Sequence, residues 1–183
     1  MDKESDFTVH FSADRKVPEP IHSLKAQSHI DDLGVIGETA LKDKGFYARI
    51  ISAVPAGRVR APQETDVLVV EDNEATALMI VKVLAHMDYH TRVARNCAEL
   101  ALALATIPDL ILLDVMLPDM NGFDLLNRIR QHSKLKDIPV LLLTSLSGRQ
   151  DIAKGLALGA NGYVTKPAHP STLIDAVQAI LVG

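Results

Sequence analysis

Residues 110–126 read LILLDVMLPDMNGFDLL, and this stretch decides the fold. Its first four residues are apolar, Asp114 follows them, and turn-forming residues come next. A short continuous apolar run between segments of helical periodicity is typical of a strand that is buried on both faces of a parallel sheet. In such sheets the functional groups lie beyond the carboxyl ends of the strands. We therefore expect Asp114 at the functional edge of a sheet.

Three other short runs also end in polar residues. Residues 67–70 precede Glu71 and Asp72, residues 140–143 precede Thr144, and residues 162–165 precede Lys166. Because the carboxyl ends of parallel strands meet at one edge of a sheet, these side chains are expected to lie close to Asp114. The sequence thus places three acids, one hydroxyl and one lysine at the same edge.

The pattern from residue 66 onward predicts a doubly wound α/β fold with a five-stranded parallel sheet. Predicted strands lie at 67–70, 89–93, 110–113, 139–144 and 162–165, and predicted helices at 74–87, 97–106, 121–132, 149–158 and 170–182. The second strand alternates polar and apolar residues and the fifth is short, so both are placed at sheet edges. The strand order 2-1-3-4-5 follows, with strands one and three adjacent at the topological switch point.

The chain divides near residue 65. Residues 53–65 contain two prolines and a glycine and have linker composition. Residues 66–183 are predicted to form one domain, and residues 1–65 an N-terminal extension of unknown function. Within the extension, residues 7–11 alternate as one strand would, and residues 21–36 show a loose helical stripe. We expect the extension to dock on the main domain, on a second copy or on a partner, with partial disorder as the alternative.

Composition excludes several classes of protein. The formal net charge of -4 gives no support for a nucleic-acid-binding surface. The single cysteine, Cys97, cannot form a disulfide framework, which favours a reducing compartment. No apolar run approaches the roughly 20 residues that a membrane helix needs. We therefore expect a cytoplasmic protein that binds neither nucleic acid nor membrane directly.

The acids at the predicted edge indicate a metal site and a nucleophile. Neighbouring carboxylates repel one another, and Mg²⁺, which prefers oxygen ligands, relieves this repulsion together with Lys166. Asp114 stands alone on the central strand and is the best candidate for forming an aspartyl phosphate. Asp72 is expected to reach the metal more directly than Glu71, while Lys166 and the Thr144 hydroxyl suit the oxygens of a bound phosphoryl group. Taken singly, each of these residues could be a helix cap or a solvated charge.

The chain resembles the bacterial response regulator receiver domain, the family of the chemotaxis protein CheY, over residues 66–183. The matching segments are VLVVEDN at 67–73, LILLDVMLPDMNGFDLL at 110–126, VLLLTS at 140–145 and GANGYVTKP at 159–167. The resemblance implies that Asp114 is the phosphoacceptor and that Lys166 contacts the phosphate. It implies Mg²⁺ ligands from Asp72, Asp114 and the backbone carbonyl of Met116, with Glu71 acting through a water. It also implies that Thr144 and Tyr163 form a switch pair and that the Lys166–Pro167 peptide is often cis.

The implied function is a two-component signalling switch and not an enzyme in the ordinary sense, although receivers catalyse their own phosphorylation and dephosphorylation. A histidine kinase or histidine phosphotransfer protein would phosphorylate Asp114. A downstream protein, or a second copy in a homodimer, would bind the face formed by the fourth helix, the fifth strand and the fifth helix. In the family, the residues two after the acceptor and two after the switch threonine tune phosphoryl lifetime. Here they are the apolar Met116 and Leu146, which predict a long lifetime.

Other functions remain as alternatives. The chain could be the receiver module of a hybrid histidine kinase or a phosphorelay intermediate, although Met1 favours a complete short protein. Because the sequence stops after the fifth predicted helix, we expect no C-terminal output module. A phosphohydrolase that forms an aspartyl phosphate is less favoured, because Met116 stands where such enzymes place a second aspartate. An FMN carrier is also disfavoured, because the acids after the first strand would repel its phosphate.

Overall fold

One mixed sheet organises the computed structural model, which describes residues 48–50, 60–145 and 149–181. Its strands are β1 (Ala48–Ile50), β2 (Asp66–Val70), β3 (His90–Ala94), β4 (Leu110–Asp114), β5 (Val140–Thr144) and β6 (Gly162–Thr165). Strands β2 to β6 pair in parallel in the spatial order β3-β2-β4-β5-β6. This is the predicted order 2-1-3-4-5, which is confirmed.

Five α-helices alternate with the parallel strands, as predicted. They are α1 (Glu74–Ala85), α2 (Cys97–Ala103), α3 (Gly122–Gln131), α4 (Arg149–Ala157) and α5 (Pro170–Leu181). Asparagine caps start the first three, because the side chains of Asn73, Asn96 and Asn121 each accept a backbone N–H of the first turn. Among the helices of the described residues, none has both the length and the apolar character required to cross a membrane.

Helix α2 ends three residues earlier than predicted. The guanidinium of Arg92, on the neighbouring strand β3, donates to the backbone carbonyls of Ala103 and Thr106. Carbonyls in the last turn of a helix have no intrahelical partner, and here a side chain from another element satisfies them. That contact is non-local, so the helical periodicity of the sequence does not reveal it.

Both faces of the central strands are covered, which explains their continuous apolar character. Leu110 and Leu112 of β4 belong to the core cluster that includes α1 and α5, whereas Ile111 and Leu113 belong to the cluster that includes α2 and α3. Strand β3 is more exposed, with a buried residue only at Ala94, as its alternating sequence predicts for an edge. The helices thereby cover the faces of the sheet and leave the carboxyl ends of the strands accessible.

The prediction that the strand now labelled β6 lies at an edge is wrong. Strand β1, from the N-terminal extension, pairs with β6 in antiparallel register, with Ala48 opposite Val164 and Ile50 opposite Gly162. It also contacts α5. Three residues are too short a segment to show strand periodicity, so sequence reasoning missed β1. The strand predicted at 7–11 and the helical stripe at 21–36 lie outside the described residues.

Candidate functional site

Asp114 is the last residue of β4 and is only 4% exposed. Its Oδ1 accepts the backbone N–H of Met116 at 2.9 Å. The loop then folds back on the end of the strand, because the N–H of Gly122 donates to the carbonyl of Val115 at 2.9 Å. These bonds hold the Asp114 carboxylate at the carboxyl edge of the sheet with one oxygen already oriented.

Gly122 is a positioning residue whose role the sequence reasoning missed. A Cβ atom at this position would lie 2.4 Å from the backbone oxygen of Asp114 and 2.6 Å from the Cα of Val115. Both neighbours are backbone atoms that cannot swing away, so only glycine allows α3 to begin this close to Asp114. The signal was the Asn121-Gly122 pair, which the sequence analysis placed at the start of the helix predicted at 121–132 without giving the glycine a role.

Glu71 and Asp72 follow β2, which pairs directly with β4. Glu71 is 1% exposed, whereas Asp72 is exposed. One carboxylate oxygen from each of Glu71, Asp72 and Asp114 lies within 4.8 Å of the other two. The structure therefore brings the three predicted acids together. The helix cap beside them is Asn73, which accepts the N–H of Thr76, so Asp72 is not used as that cap.

Lys166 reaches the same acids from β6. Its Nζ donates to Asp114 Oδ2 at 2.7 Å and also to the Glu71 carboxylate. The backbone N–H of Lys166 donates to the carbonyl of Thr144 at 2.8 Å, which ties the end of β6 to the end of β5. The Lys166–Pro167 peptide is cis, as the family resemblance suggested.

The electrostatics of the cluster favour a cation. Burial raises the pKa of the Glu71 carboxyl, the hydrogen bond and charge of Lys166 lower it, and the nearby charge of Asp114 raises it; the balance is a raised pKa. At Glu71, burial therefore outweighs the stabilisation that the single lysine provides. A set of carboxylate and carbonyl oxygens suits a hard divalent ion such as Mg²⁺, which keeps several waters. The residues present fit that ion, and the exposed Asp72 leaves the site open to it.

Thr144 and Tyr163 lie on the adjacent strands β5 and β6. Thr144 ends β5 and is 4% exposed, and Tyr163, on β6, is 8% exposed. Thr144 is opposite Thr165 in the register, and Tyr163 is two residues before Thr165. Because strand residues two apart share a face, Thr144 and Tyr163 project from the same side of the sheet. Met116 is 58% exposed, while Leu146 lies outside the described residues.

Comparisons with known proteins agree with this geometry. The family model described as the response regulator receiver domain matches residues 67–178. Response regulator PleD of Caulobacter vibrioides is 36% identical over 115 residues, which make up 62% of this chain and 25% of PleD. The chain spans about half the length of the other leading curated relatives.

Solved structures show the same fold. The receiver domain of a signal transduction histidine kinase from Syntrophus aciditrophicus is 36% identical with a TM-score of 0.60, and the match covers 65% of this chain and 91% of that one. The chemotaxis protein CheY4 of Vibrio cholerae is 32% identical with a TM-score of 0.60, over 64% of this chain and 98% of that one. The family match over most of the chain and the CheY-like sheet order lead to one conclusion: this chain belongs to the response regulator receiver domain family.

Proposed function

We propose that Asp114 accepts a phosphoryl group from a histidine kinase or a histidine phosphotransfer protein and that this modification changes which protein the domain binds. The observation that supports the proposal best is the clustering of three carboxylates around Asp114, with Lys166 Nζ at 2.7 Å from its Oδ2. Membership of the receiver family supports a role in two-component signalling, and receiver domains are signalling domains and not ordinary enzymes.

In the proposed reaction, a carboxylate oxygen of Asp114 attacks the phosphorus of a phosphohistidine. The phosphorus–nitrogen bond breaks, and the leaving imidazole nitrogen keeps the electron pair. The domain itself contributes charge neutralisation and positioning, which are the main needs of phosphoryl transfer. Mg²⁺, when bound by Asp72, Asp114, the Met116 carbonyl and, through a water, Glu71, would neutralise charge on the transferred group. Self-catalysed transfer from small phosphodonors and self-catalysed hydrolysis follow from the same groups.

The incoming phosphoryl group can approach from the side of α1. A groove of about 300 Å³ lies there, lined by Thr76, Met79, Ile80, Leu143, Ser145, Lys166, Pro167 and Ala168. It joins an apolar wall to the ammonium of Lys166. A donor that places its phosphohistidine at Asp114 can therefore bury apolar surface next to the site while Lys166 meets the phosphate oxygens.

After phosphorylation, the Thr144 hydroxyl is proposed to move towards the phosphoryl oxygens, and Tyr163 to turn into the space beside β5. This rearrangement biases a pre-existing equilibrium between two conformations of the face formed by α4, β6 and α5. That face is the proposed binding surface for a downstream protein or for a second copy. The relevant compartment is the cytoplasm, and no direct contact with nucleic acid or membrane is proposed.

A second arrangement is a receiver that serves a hybrid kinase or a phosphorelay. The Syntrophus aciditrophicus relative, which is the receiver domain of a histidine kinase, favours keeping this possibility. The chemistry at Asp114 is the same in both arrangements. They differ in whether the phosphoryl group is passed on to a second histidine or is kept while a partner binds.

The test is phosphorylation by a small-molecule phosphodonor with Mg²⁺ present, measured by intact-protein mass spectrometry. We expect one acid-labile, hydroxylamine-sensitive phosphoryl group on the unmodified chain and none on Asp114→Asn, because an amide keeps the shape but is not a nucleophile. Asp119→Asn is the matched control, since Asp119 is an exposed acid of the same loop. Equal labelling of Asp114→Asn and the unmodified chain would reject the assignment.

A further inference from the structure

Strand β1 pairs with β6, which is part of the face that the proposed function assigns to partner binding. In a sheet of order 2-1-3-4-5, β6 would be an edge strand with a free row of backbone N–H and carbonyl groups. Here β1 occupies that edge over three residue pairs and also contacts α5. Every residue of β6 is buried, Tyr163 included. A segment of the N-terminal extension therefore covers the β6 edge within the α4–β6–α5 face and contacts α5.

The direction of each hydrogen bond follows from the register. The N–H of Lys166 donates to the carbonyl of Thr144 on β5 at 2.8 Å. Because N–H groups alternate along a strand, the N–H groups of Val164 and Gly162 also point to β5, while that of Tyr163 points to β1. The partner opposite Tyr163 is Arg49. Arg49 therefore directs its own N–H towards β6, and Ala48 and Ile50 direct theirs away.

Three features of β1 favour its displacement from β6. Within the described part of the extension β1 comprises three residue pairs, fewer than the five or six residues of a typical strand. It is antiparallel on a sheet that is otherwise parallel, so it lies outside the repeating strand–helix unit that makes the core. Residues 51–59 join it to the domain and include Pro55 and Gly57. A short strand held on one side opens locally far more readily than a central strand does.

We propose that residues 48–50 are an intramolecular ligand of the β6 edge, which masks the α4–β6–α5 face and must leave before an extended segment of another protein can pair there. The recognition mode is the addition of an antiparallel strand, in which main-chain hydrogen bonds supply the affinity. Tethering gives the chain's own segment a millimolar effective concentration, so it excludes weak competitors. The proposal rests on the proposed function only for the identity of the face.

Residue-resolved hydrogen exchange of the full chain tests the cover. Arg49→Pro removes the N–H group that points to β6, whereas Ala48→Pro with Ile50→Pro removes only outward ones and is the matched control. We expect the amide of Tyr163 to exchange about tenfold faster or more in Arg49→Pro. It should be unchanged in the control, and the Gly162 and Val164 amides, which point to β5, should stay protected in both. Equal effects of Arg49→Pro and the control would overturn the inference.

Two further measurements test whether β1 can be displaced from β6. In the unmodified chain, the Tyr163 amide should exchange through a local opening, faster than the Gly162 and Val164 amides; exchange of all three only with global unfolding would make β1 an integral strand and overturn the proposal. A synthetic peptide of residues 44–54 should bind Arg49→Pro and restore protection at Tyr163. It should bind the unmodified chain about tenfold more weakly or worse. Equal binding to both chains, or no binding to Arg49→Pro at millimolar peptide, would also overturn it.

These measurements need no phosphodonor, so their outcome is independent of Asp114. Failure of phosphorylation at Asp114 with normal exchange behaviour would reject the proposed function and leave the cover intact. Normal phosphorylation with unchanged exchange in Arg49→Pro would reject the cover and leave the proposed function intact.

Discussion

Replacing Lys166 by methionine tests the charge balance of the acidic cluster. The ammonium of Lys166 bonds the carboxylates of both Glu71 and Asp114, which are 1% and 4% exposed. Removing one partner of a buried ion pair typically costs 3–5 kcal/mol, because a buried charge is left without compensation. The Lys166 side chain is 17% exposed and Glu71 can take up a proton, so the expected loss is smaller, about 2–3 kcal/mol at neutral pH. For a domain of this size the melting temperature should fall by roughly 10 °C.

The loss should depend on pH in a defined direction. The pKa of Glu71 in the folded chain is already raised above its ordinary 4.5, chiefly by burial, and Lys166 opposes that rise. Without Lys166 the folded pKa rises further while the unfolded pKa stays the same. Between the two values the folded state binds more protons than the unfolded state, so stability falls as pH increases through that window. The variant should therefore be closest to the unmodified chain near pH 4.5 and furthest from it above the raised pKa.

Chemical denaturation at pH 5 and pH 8, without Mg²⁺, measures both effects. Lys134→Met is the matched control, because Lys134 is exposed and its replacement should change stability by no more than about 0.5 kcal/mol. A loss in Lys166→Met no larger than that of the control would refute the idea that the acids depend on this lysine. A loss of equal size at both pH values would refute the assignment of the pH dependence to Glu71.

The remaining predictions concern Mg²⁺ binding, the backbone at Gly122 and the lifetime of the phosphoryl group. Mg²⁺ at ten times its dissociation constant should stabilise the chain by about 1.4 kcal/mol in thermal melts, and Asp72→Ala should reduce that shift; a shift that survives the substitution would remove Asp72 from the site. Gly122→Ala should destabilise the fold by about 2 kcal/mol or more in denaturant titrations, because its Cβ meets backbone atoms at 2.4 Å and 2.6 Å. Met116→Asn with Leu146→Glu should speed dephosphorylation about tenfold, roughly 1.4 kcal/mol of barrier, in a phosphate-release assay. An unchanged rate would show that other residues set the lifetime.

The parallel part of the fold is readable from sequence for a physical reason. Strands covered on both faces need continuous apolar runs, and residues 67–70, 110–113 and 140–143 provide them. Once those runs are identified, topology places the residues after them at one edge. The clustering of Glu71, Asp72 and Asp114 within 4.8 Å follows from that placement and from the pairing of β2 with β4.

Features that depend on non-local contacts could not be read in this way. The guanidinium of Arg130 donates to the carbonyls of Gly159 and Ile138 and to the side chain of Asn161. It thereby joins the end of α3 to the start of β6. Arg92 closes α2 in a similar manner. In the sequence both are ordinary charged residues, since nothing local distinguishes an arginine that binds buried carbonyls from one on a solvated face.

Strand β1 links the part of the chain that resembles the family to the part that does not. It lies beside β6, and β6 lies beside β5, which ends at Thr144 next to the acidic cluster. Two strands, β6 with Tyr163 and β5 with Thr144, therefore separate β1 from β4, which ends at Asp114. By thermodynamic linkage, any coupling across these two strands is reciprocal. If a phosphoryl group on Asp114 weakens the docking of β1, the docking of β1 disfavours phosphorylation of Asp114 by the same factor. Under such coupling, strand β1 would act on Asp114 through the equilibrium between the covered and uncovered edge of β6.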